Sequence, residues 1–208
     1  MPSRPDSRKA RNLRVPNLYQ SEKAMLRNQR TIQLTPSVTD RDHLQGPDDA
    51  PLTLVLYGDY ECPYTRKSLP AVHALQQQHG DQLRFVFRNF PLTEIHPHAL
   101  QAAEAAEAAA AQGRFWEMHA YLFAHQQSLE QADLLQYARD LGLDTARFEQ
   151  DLATHAYLGR INGDVESGLL SGVQGTPTFF INGVLHTASW EQDSLAAALQ
   201  RAIAQSRT

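Results

Sequence analysis

With 208 residues, the chain is long enough to bury one sizeable hydrophobic core, with room for an inserted subdomain. Its residues are 42% hydrophobic and 20% charged, as in an ordinary soluble globular protein, and its single cysteine excludes an intrachain disulfide framework. The net charge is −4, and no apolar run reaches the roughly 18 residues that span a bilayer. We therefore expect no membrane span, and the cysteine usage favours a reducing, cytoplasmic location.

The charge is unevenly distributed along the chain. Residues 1–30 carry eight basic and two acidic residues, so the remainder carries 11 basic and 21 acidic ones. Because an acidic body offers no electrostatic footprint for nucleic acid, we expect no nucleic-acid partner. Residues 1–40 are predicted to form a basic N-terminal arm that is largely disordered or loosely attached. No apolar segment follows its basic residues, which argues against a secretory signal, while a transit peptide stays open.

The first elements after the arm read as strand, turn, helix and strand. Residues 31–34 are a candidate short edge strand, and residues 36–51 are rich in turn formers. The apolar, β-prone run at 52–57 predicts a buried strand, and a helix follows from Pro63 to about His79. A second buried strand is predicted at 83–87. This βαβ order predicts parallel pairing of the two strands.

The chain then becomes helical. We predict a helical insertion over about 97–152 and further helix up to about residue 171. Four glycines at positions 159, 163, 168 and 172 suggest a smooth helix face lying close to the sheet. Asn182-Gly183 lies between two apolar runs and predicts a β-hairpin. A helix over 190–204 closes the chain.

Cys62 stands where the first predicted strand turns into the first predicted helix. The unpaired N–H groups and the positive dipole end of a helix N-terminus favour a thiolate there. Pro63 fits the first helical turn, where its missing N–H costs nothing. A lone cysteine is usually a small buried hydrophobe, but this position favours a nucleophile.

The ordered set of motifs resembles the DsbA-like thiol–disulfide oxidoreductases from about Asp42 to the C-terminus. The stretches that carry the resemblance are Asp59-Tyr60-Glu61-Cys62-Pro63-Tyr64, Phe87-Arg88-Asn89-Phe90-Pro91-Leu92, His96-Pro97, Phe115-Trp116-Glu117-Met118-His119, and Gly172-Val173-Gln174-Gly175-Thr176-Pro177-Thr178-Phe179-Phe180. The resemblance implies an α/β thioredoxin fold over 41–208, with a central mixed sheet flanked by helices and a DsbA-like helical insertion.

The chain departs from this family at one position of the active-site motif. The family carries Cys-Pro-x-Cys, whereas this chain has Cys62-Pro63-Tyr64-Thr65. By resemblance Cys62 takes the place of the attacking cysteine, and Thr65 replaces the resolving one. Glutathione or a partner thiol protein must then resolve the mixed disulfide. Because Thr65 lies three residues after Cys62 on one helix face, its hydroxyl is a candidate donor to the sulfur anion.

The resemblance also assigns a substrate-binding loop. In the thioredoxin fold the proline that matches Pro177 is cis and lies beside the attacking sulfur. Thr176 and Pro177, together with Pro63 and Tyr64, are therefore the candidate substrate-binding residues. The backbone of Thr176 would pair with an extended peptide or with glutathione, as in β-augmentation.

Other polar residues near Cys62 have two interpretations. Asp59 and Glu61 read as turn residues with solvated surface charges, and the alternative is a proton relay. Arg66 and Lys67 favour the thiolate or bind a glutathione carboxylate, and are equally plausible as surface residues. His96-Pro97-His98 reads as a helix start rather than a metal site. We expect no metal and no bound cofactor, with glutathione as a possible co-substrate.

Three functional hypotheses follow. The first is a monothiol, glutathione-linked thiol–disulfide oxidoreductase that acts on protein or small-molecule disulfides through a mixed disulfide at Cys62. The second is a redox-inactive thioredoxin-fold module that binds peptides. The third is an enzyme like a glutathione transferase or isomerase.

Overall fold

The computed structural model of the chain describes residues 32–206. This part of the chain forms five strands and seven α-helices. The strands are β1 (His43–Gln45), β2 (Leu52–Gly58), β3 (Leu83–Asn89), β4 (Thr178–Ile181) and β5 (Val184–Leu185). The helices are α1 (Pro63–His79), α2 (Ala99–Ala110), α3 (Phe115–Ala124), α4 (Gln131–Asp140), α5 (Thr145–Ala153), α6 (Leu158–Leu170) and α7 (Gln192–Ser206). None of these helices is both long enough and apolar enough to cross a membrane.

The five strands form one mixed sheet in the order β1-β3-β2-β4-β5. β2 and β3 pair in parallel with Leu52 opposite Leu83, which confirms the predicted βαβ unit. The other three pairings are antiparallel, and β4 and β5 form the predicted hairpin. Its turn residues Asn182 and Gly183 both have positive φ angles, 47° and 80°, which suit Asn-Gly.

Strand β2 lies at the centre of the sheet, and all seven of its residues are buried. Leu54 and Leu56 belong to the larger core cluster, which also contains the buried faces of α1–α5 and α7. Val55 and Tyr57 belong to a smaller cluster. Because alternate side chains of a strand point to opposite faces, β2 contributes to a core on each face of the sheet.

Helix α1 has the predicted bounds. Leu69, Val72 and Leu75 are buried, and the positive φ of Gly80 (51°) follows its end. The further helix predicted up to about residue 171 is α6, which begins at Leu158 because a turn that includes His155 (φ 51°) separates it from α5.

The glycine face of α6 is only partly as predicted. A Cβ at Gly168 would lie 2.7 Å from a ring carbon of Phe90, so the close approach there requires glycine. Gly159 and Gly163 face open space. Gly172 follows the helix and has a φ of 76°.

The chain before β2 contains structure that sequence analysis missed. Residues 43–45, predicted to be turn, form β1 against β3. Gln33 bridges Val184, which agrees with a short edge strand, and Leu34 is buried. Gln33 and Leu34 of the predicted arm therefore contact the sheet, and residues 1–31 lie outside the described residues.

A buried ion pair holds this segment in place. Arg88 of β3 contacts both carboxylate oxygens of Asp42, at 2.7 and 3.0 Å, and donates to the carbonyls of Pro36 and Ser37. Burial by itself lowers the pKa of Arg88, but its hydrogen bonds to Asp42 and Tyr57 outweigh burial and raise the pKa overall.

A second group of buried polar side chains joins the sheet to two helices. The carboxylate of Glu107 contacts His43 Nε2 and accepts hydrogen bonds from Asn89 Nδ2 and Arg160 Nε. The backbone N–H of Asn89 donates to Asp164 on α6 at 2.9 Å. Burial raises the pKa of Asp164 to about 7, against the lowering effect of the Asn89 hydrogen bond and the nearby Arg160.

The raised pKa of Asp164 predicts a pH-dependent effect on stability. An acid whose pKa is higher in the folded state binds more protons there, so its contribution to the free energy of unfolding falls as pH rises from about 4 to about 7. Asp164→Asn removes this penalty and still accepts the Asn89 hydrogen bond. We expect its stability advantage over the wild type to grow across this window by about 4 kcal/mol, at roughly 1.4 kcal/mol per pKa unit.

Denaturant unfolding at a series of pH values measures this difference. Asp81→Asn, at an exposed aspartate, is the matched control. A stability difference between Asp164→Asn and the wild type that stays constant from pH 4 to pH 8 would contradict the prediction.

Candidate active site around Cys62

Cys62 lies at the N-terminal end of α1, as the sequence predicts. Its backbone is extended (φ −72°, ψ 119°), and Pro63 opens the helix. The residue is only 3% exposed. Its thiol donates a hydrogen bond to the carbonyl oxygen of Thr176, with the sulfur 3.3 Å from that oxygen. The peptide bond between Thr176 and Pro177 is cis. The structure thus brings together the cysteine and the loop that the sequence assigned to one site.

Pro63 and Tyr64 follow the cysteine in the first turn of α1. Both are exposed, and Tyr64 is 57% accessible. The ammonium of Lys67 lies 5.5 Å from the centre of that ring, within cation–π range. Arg66 is also exposed. A bulky ligand that reaches Cys62 would therefore meet an aromatic and cationic surface.

Thr65 does not contact the sulfur in the way we predicted. Its side chain is fully buried, and its hydroxyl oxygen accepts a 3.4 Å hydrogen bond from the backbone N–H of Asp59. Its methyl group lies against Gly58, where an added Cβ would come within 2.9 Å of it. The hydroxyl makes no hydrogen bond to Cys62 within the described part of the chain.

Asp59 is the residue that the sequence interpretation misjudged most. The sequence predicts a turn residue with a solvated charge, but its side chain is completely buried. One carboxylate oxygen accepts hydrogen bonds from the backbone N–H groups of Glu61 (2.7 Å) and Cys62 (3.2 Å). The other accepts from the N–H of Leu92 and lies 2.8 Å from His96 Nδ1. Burying a carboxylate is costly unless it is hydrogen-bonded, and these four contacts supply that compensation.

Glu61 makes a second contact of the same kind. Its carboxylate lies 3.1 Å from His98 Nδ1 and accepts the backbone N–H of His98, just before α2 begins. The segment His96-Pro97-His98 thus contacts both carboxylates that precede Cys62. Residues 32–206 contain no group of three or more His, Cys, Asp or Glu side chains placed to hold a metal ion.

Gln126 is a site residue that sequence analysis missed. It is buried just beyond the end of α3, and its amide donates to the carbonyls of Tyr60 (2.7 Å) and Cys62 (2.9 Å). The helical insertion therefore holds the cysteine turn directly. A single glutamine after a helix carries no periodicity or motif that would mark this role.

Tyr60 connects the same turn to the aromatic core. Its hydroxyl lies 3.1 Å from Nδ1 of His119 on α3. Burial lowers the pKa of His119 to about 3, with smaller effects from His73 and His43, so its imidazole is neutral near pH 7. Burial also raises the pKa of Tyr60, so the Tyr60 hydroxyl donates and the imidazole accepts.

A groove of about 560 Å³ lies on the other side of the cis peptide. Its lining residues include Gln174, Thr176, Pro177, Phe179, His186 and Trp190. The Thr176 hydroxyl is buried and has no hydrogen-bond partner among residues 32–206. The loop beside Cys62 therefore supplies apolar groups to the groove and holds one buried, unpaired hydroxyl.

Comparison with protein families and curated proteins gives two results. A family model described as thioredoxin matches residues 38–201. The chain is 50% identical over 174 residues to the Na(+)/H(+) antiporter NhaA 3 of Salinispora tropica, and likewise to NhaA 1 of Salinispora arenicola. Each match covers 84% of this chain but 26% of the relative. The chain thus spans about a quarter of the length of these relatives.

Solved structures show the same fold. Oxidised BdbD from Bacillus subtilis superposes with a TM-score of 0.73 at 21% identity, covering 83% of this chain and 97% of that one. A thioredoxin-like oxidoreductase from Silicibacter pomeroyi gives 0.70 at 28% identity, covering 79% and 93%. The α-DsbA1 of Wolbachia pipientis gives 0.65 at 20% identity, covering 81% and 96%. The predicted DsbA-like thioredoxin fold is confirmed.

Removal of the Gln126 hydrogen bonds tests whether the helical insertion stabilises the cysteine turn and limits access to the Cys62 thiol. Gln126→Leu leaves two buried carbonyls without this donor, which we expect to cost about 1–3 kcal/mol in the free energy of unfolding. We also expect faster alkylation of Cys62 by iodoacetamide, because a loosened turn exposes the thiol.

Gln101→Leu is the matched control, since Gln101 donates to the carbonyl of Leu129 and not to a carbonyl of the cysteine turn. This variant should lose stability without a change in the alkylation rate. Equal alkylation rates for Gln126→Leu and the wild type would show that the insertion does not control access to Cys62.

Proposed function

Because the chain belongs to the thioredoxin family and has the DsbA-like fold, we propose that it is a monothiol thiol–disulfide oxidoreductase with Cys62 as its nucleophile. The observation that carries the proposal is the 3.3 Å contact between the Cys62 sulfur and the Thr176 carbonyl at the cis Thr176–Pro177 peptide. A substrate sulfur beside this loop would lie next to the attacking sulfur. The exposed Pro63 and Tyr64 would form the opposite wall.

The chemistry proceeds by two thiol–disulfide exchanges. The Cys62 thiolate attacks one sulfur of a substrate disulfide. A new sulfur–sulfur bond forms to Cys62, the old one breaks, and the departing thiolate keeps its electron pair. A glutathione thiolate then attacks the substrate sulfur of the mixed disulfide. A sulfur–sulfur bond forms between glutathione and the substrate, and Cys62 leaves as a thiolate. The protein returns to its starting state, and glutathione ends in the new disulfide.

An external thiol is needed because Thr65 occupies the position of the resolving cysteine and the chain has one cysteine. Glutathione is the small thiol that a reducing, cytoplasmic compartment supplies in abundance, and a partner thiol protein is the alternative. Arg66 and Lys67, both exposed in the first turns of α1, are suitably charged for a glutathione carboxylate.

The curated relatives suggest one class of protein partner. Their names describe Na(+)/H(+) antiporters, and this chain matches about a quarter of each. We propose that an antiporter of this kind carries a disulfide or mixed disulfide that Cys62 exchanges. Non-reducing electrophoresis of purified antiporter with this protein tests it, with Cys62→Ser as the control. Absence of a Cys62-dependent cross-linked band would exclude this partner.

A glutathione adduct tests the proposed activity directly. We expect incubation with oxidised glutathione to add one glutathione per chain, and reduced glutathione to remove it, because both steps are exchanges at Cys62. Intact mass spectrometry measures the adduct, and Cys62→Ser should form none. Failure of the wild type to form an adduct while it still binds unfolded peptides would favour the redox-inactive binding module. Turnover of an electrophile with glutathione would favour the transferase.

Thr65→Cys tests whether the scaffold still supports dithiol chemistry. The two thiols would lie three residues apart in the first turn of α1. We expect the variant, once oxidised with diamide and freed of it, to carry an internal disulfide. It should then oxidise one peptide dithiol per chain without added glutathione, its own disulfide being reduced to two thiols. Mass spectrometry of the peptide product measures this. Thr65→Ser keeps the hydroxyl that accepts the Asp59 N–H and should not oxidise the peptide. An unreactive Thr65→Cys protein would contradict the assigned geometry.

A further inference from the structure

Each histidine of the segment His96-Pro97-His98 contacts one of the two acidic residues that precede Cys62. His96 lies 2.8 Å from Asp59, and His98 lies 3.1 Å from Glu61. The two contacts differ in burial. The side chains of His96 and Asp59 are 16% and 0% exposed, whereas those of His98 and Glu61 are 38% and 20% exposed. Water screens the outer pair more, so the inner pair is the stronger constraint.

The inner pair acts on Cys62 through one carboxylate. One oxygen of Asp59 accepts the Cys62 N–H, and the other faces His96 Nδ1. The Asp59 carboxylate has no other side-chain hydrogen-bond partner in the described structure, because its remaining contacts are backbone N–H groups. His96 is thus the side chain that fixes the orientation of this carboxylate.

We propose that His96 is a positioning residue, which holds Cys62 against the Thr176 carbonyl by orienting the Asp59 carboxylate. The inference rests on the proposed function, since the position matters only if Cys62 attacks a docked disulfide. The same contacts join the turn before Cys62 to the segment 90–98 that leads into α2. Through the hydrogen bond from His96 to Asp59, the position of the Cys62 sulfur therefore depends on where the helical insertion lies.

Three substitutions at position 96 separate positioning from general stability. The side-chain amide of asparagine occupies nearly the place of Nδ1 in histidine, so His96→Asn keeps a donor to Asp59. His96→Gln puts its donor farther along the side chain, and His96→Leu has none. We expect Asn to keep the rate of reaction with oxidised glutathione within about threefold of the wild type. Leu and Gln should lower it roughly tenfold, because small displacements of a reacting atom slow attack strongly.

Position 98 supplies the matched control. We expect His98→Leu to stay within about twofold of the wild type, since its contact is partly exposed. A double-mutant cycle with Asp59→Asn adds a second readout. The Asp59→Asn/His96→Leu double variant should react with oxidised glutathione no more slowly than Asp59→Asn alone. Both substitutions remove the same hydrogen bond, that between His96 and the Asp59 carboxylate. If His96→Leu does not fold, the comparison of Asn with Gln decides.

The outcomes distinguish this inference from the proposed function. Equal rates for the Asn, Gln and Leu variants, or an additive double variant, would overturn the role of His96. If wild-type Cys62 reacts with iodoacetamide but not with oxidised glutathione, the proposed function fails. Positioning is then read from iodoacetamide, towards which the Leu and Gln variants should react faster than the Asn variant and the wild type. Equal iodoacetamide rates would overturn the positioning role as well.

Discussion

The buried carboxylate of Asp59 is the group on which the geometry around Cys62 depends. Removal of a carboxylate from water costs several kcal/mol unless donors surround it, and Asp59 receives backbone N–H groups from two separate segments and faces His96. Each donor reduces that cost only if it stays in place. The Asp59 carboxylate therefore links the turn at residues 59–62 to the segment before α2. The position of the Cys62 sulfur depends on this link.

The helical insertion holds the same turn from the opposite side. Gln126 donates to the carbonyls of Tyr60 and Cys62, while Asp59 accepts N–H groups of the turn. Donors and acceptors of one short backbone stretch are thus satisfied by different parts of the molecule. An irregular, buried turn needs such external partners because it lacks the repeating hydrogen bonds of a helix or strand. This explains how the insertion influences the active site without lining it.

Features that depend on neighbouring residues in the sequence could be predicted, whereas features that depend on distant residues could not. The strand at 52–58 and helix α1 follow from an apolar run and a helical periodicity, and the hairpin follows from Asn182-Gly183. The loop at Thr176 and Pro177 came only from the resemblance, because no local pattern links it to Cys62. Strand β1 has three residues, which are too few for an alternating pattern to be recognised. The burial of Asp59 depends on donors more than 30 residues away, which a turn propensity cannot report.

The structure shows how threonine fills the position where the Cys-Pro-x-Cys motif has its second cysteine. Threonine fills a fully buried position, packs its methyl against Gly58 and satisfies the Asp59 N–H. That N–H belongs to the residue whose carboxylate holds Cys62, so Thr65 supports the same junction. Threonine at position 65 therefore supports the buried junction around Asp59 without supplying a second thiol. A dithiol site stores two electrons within one chain, whereas in the proposed monothiol reaction the second thiol comes from solution.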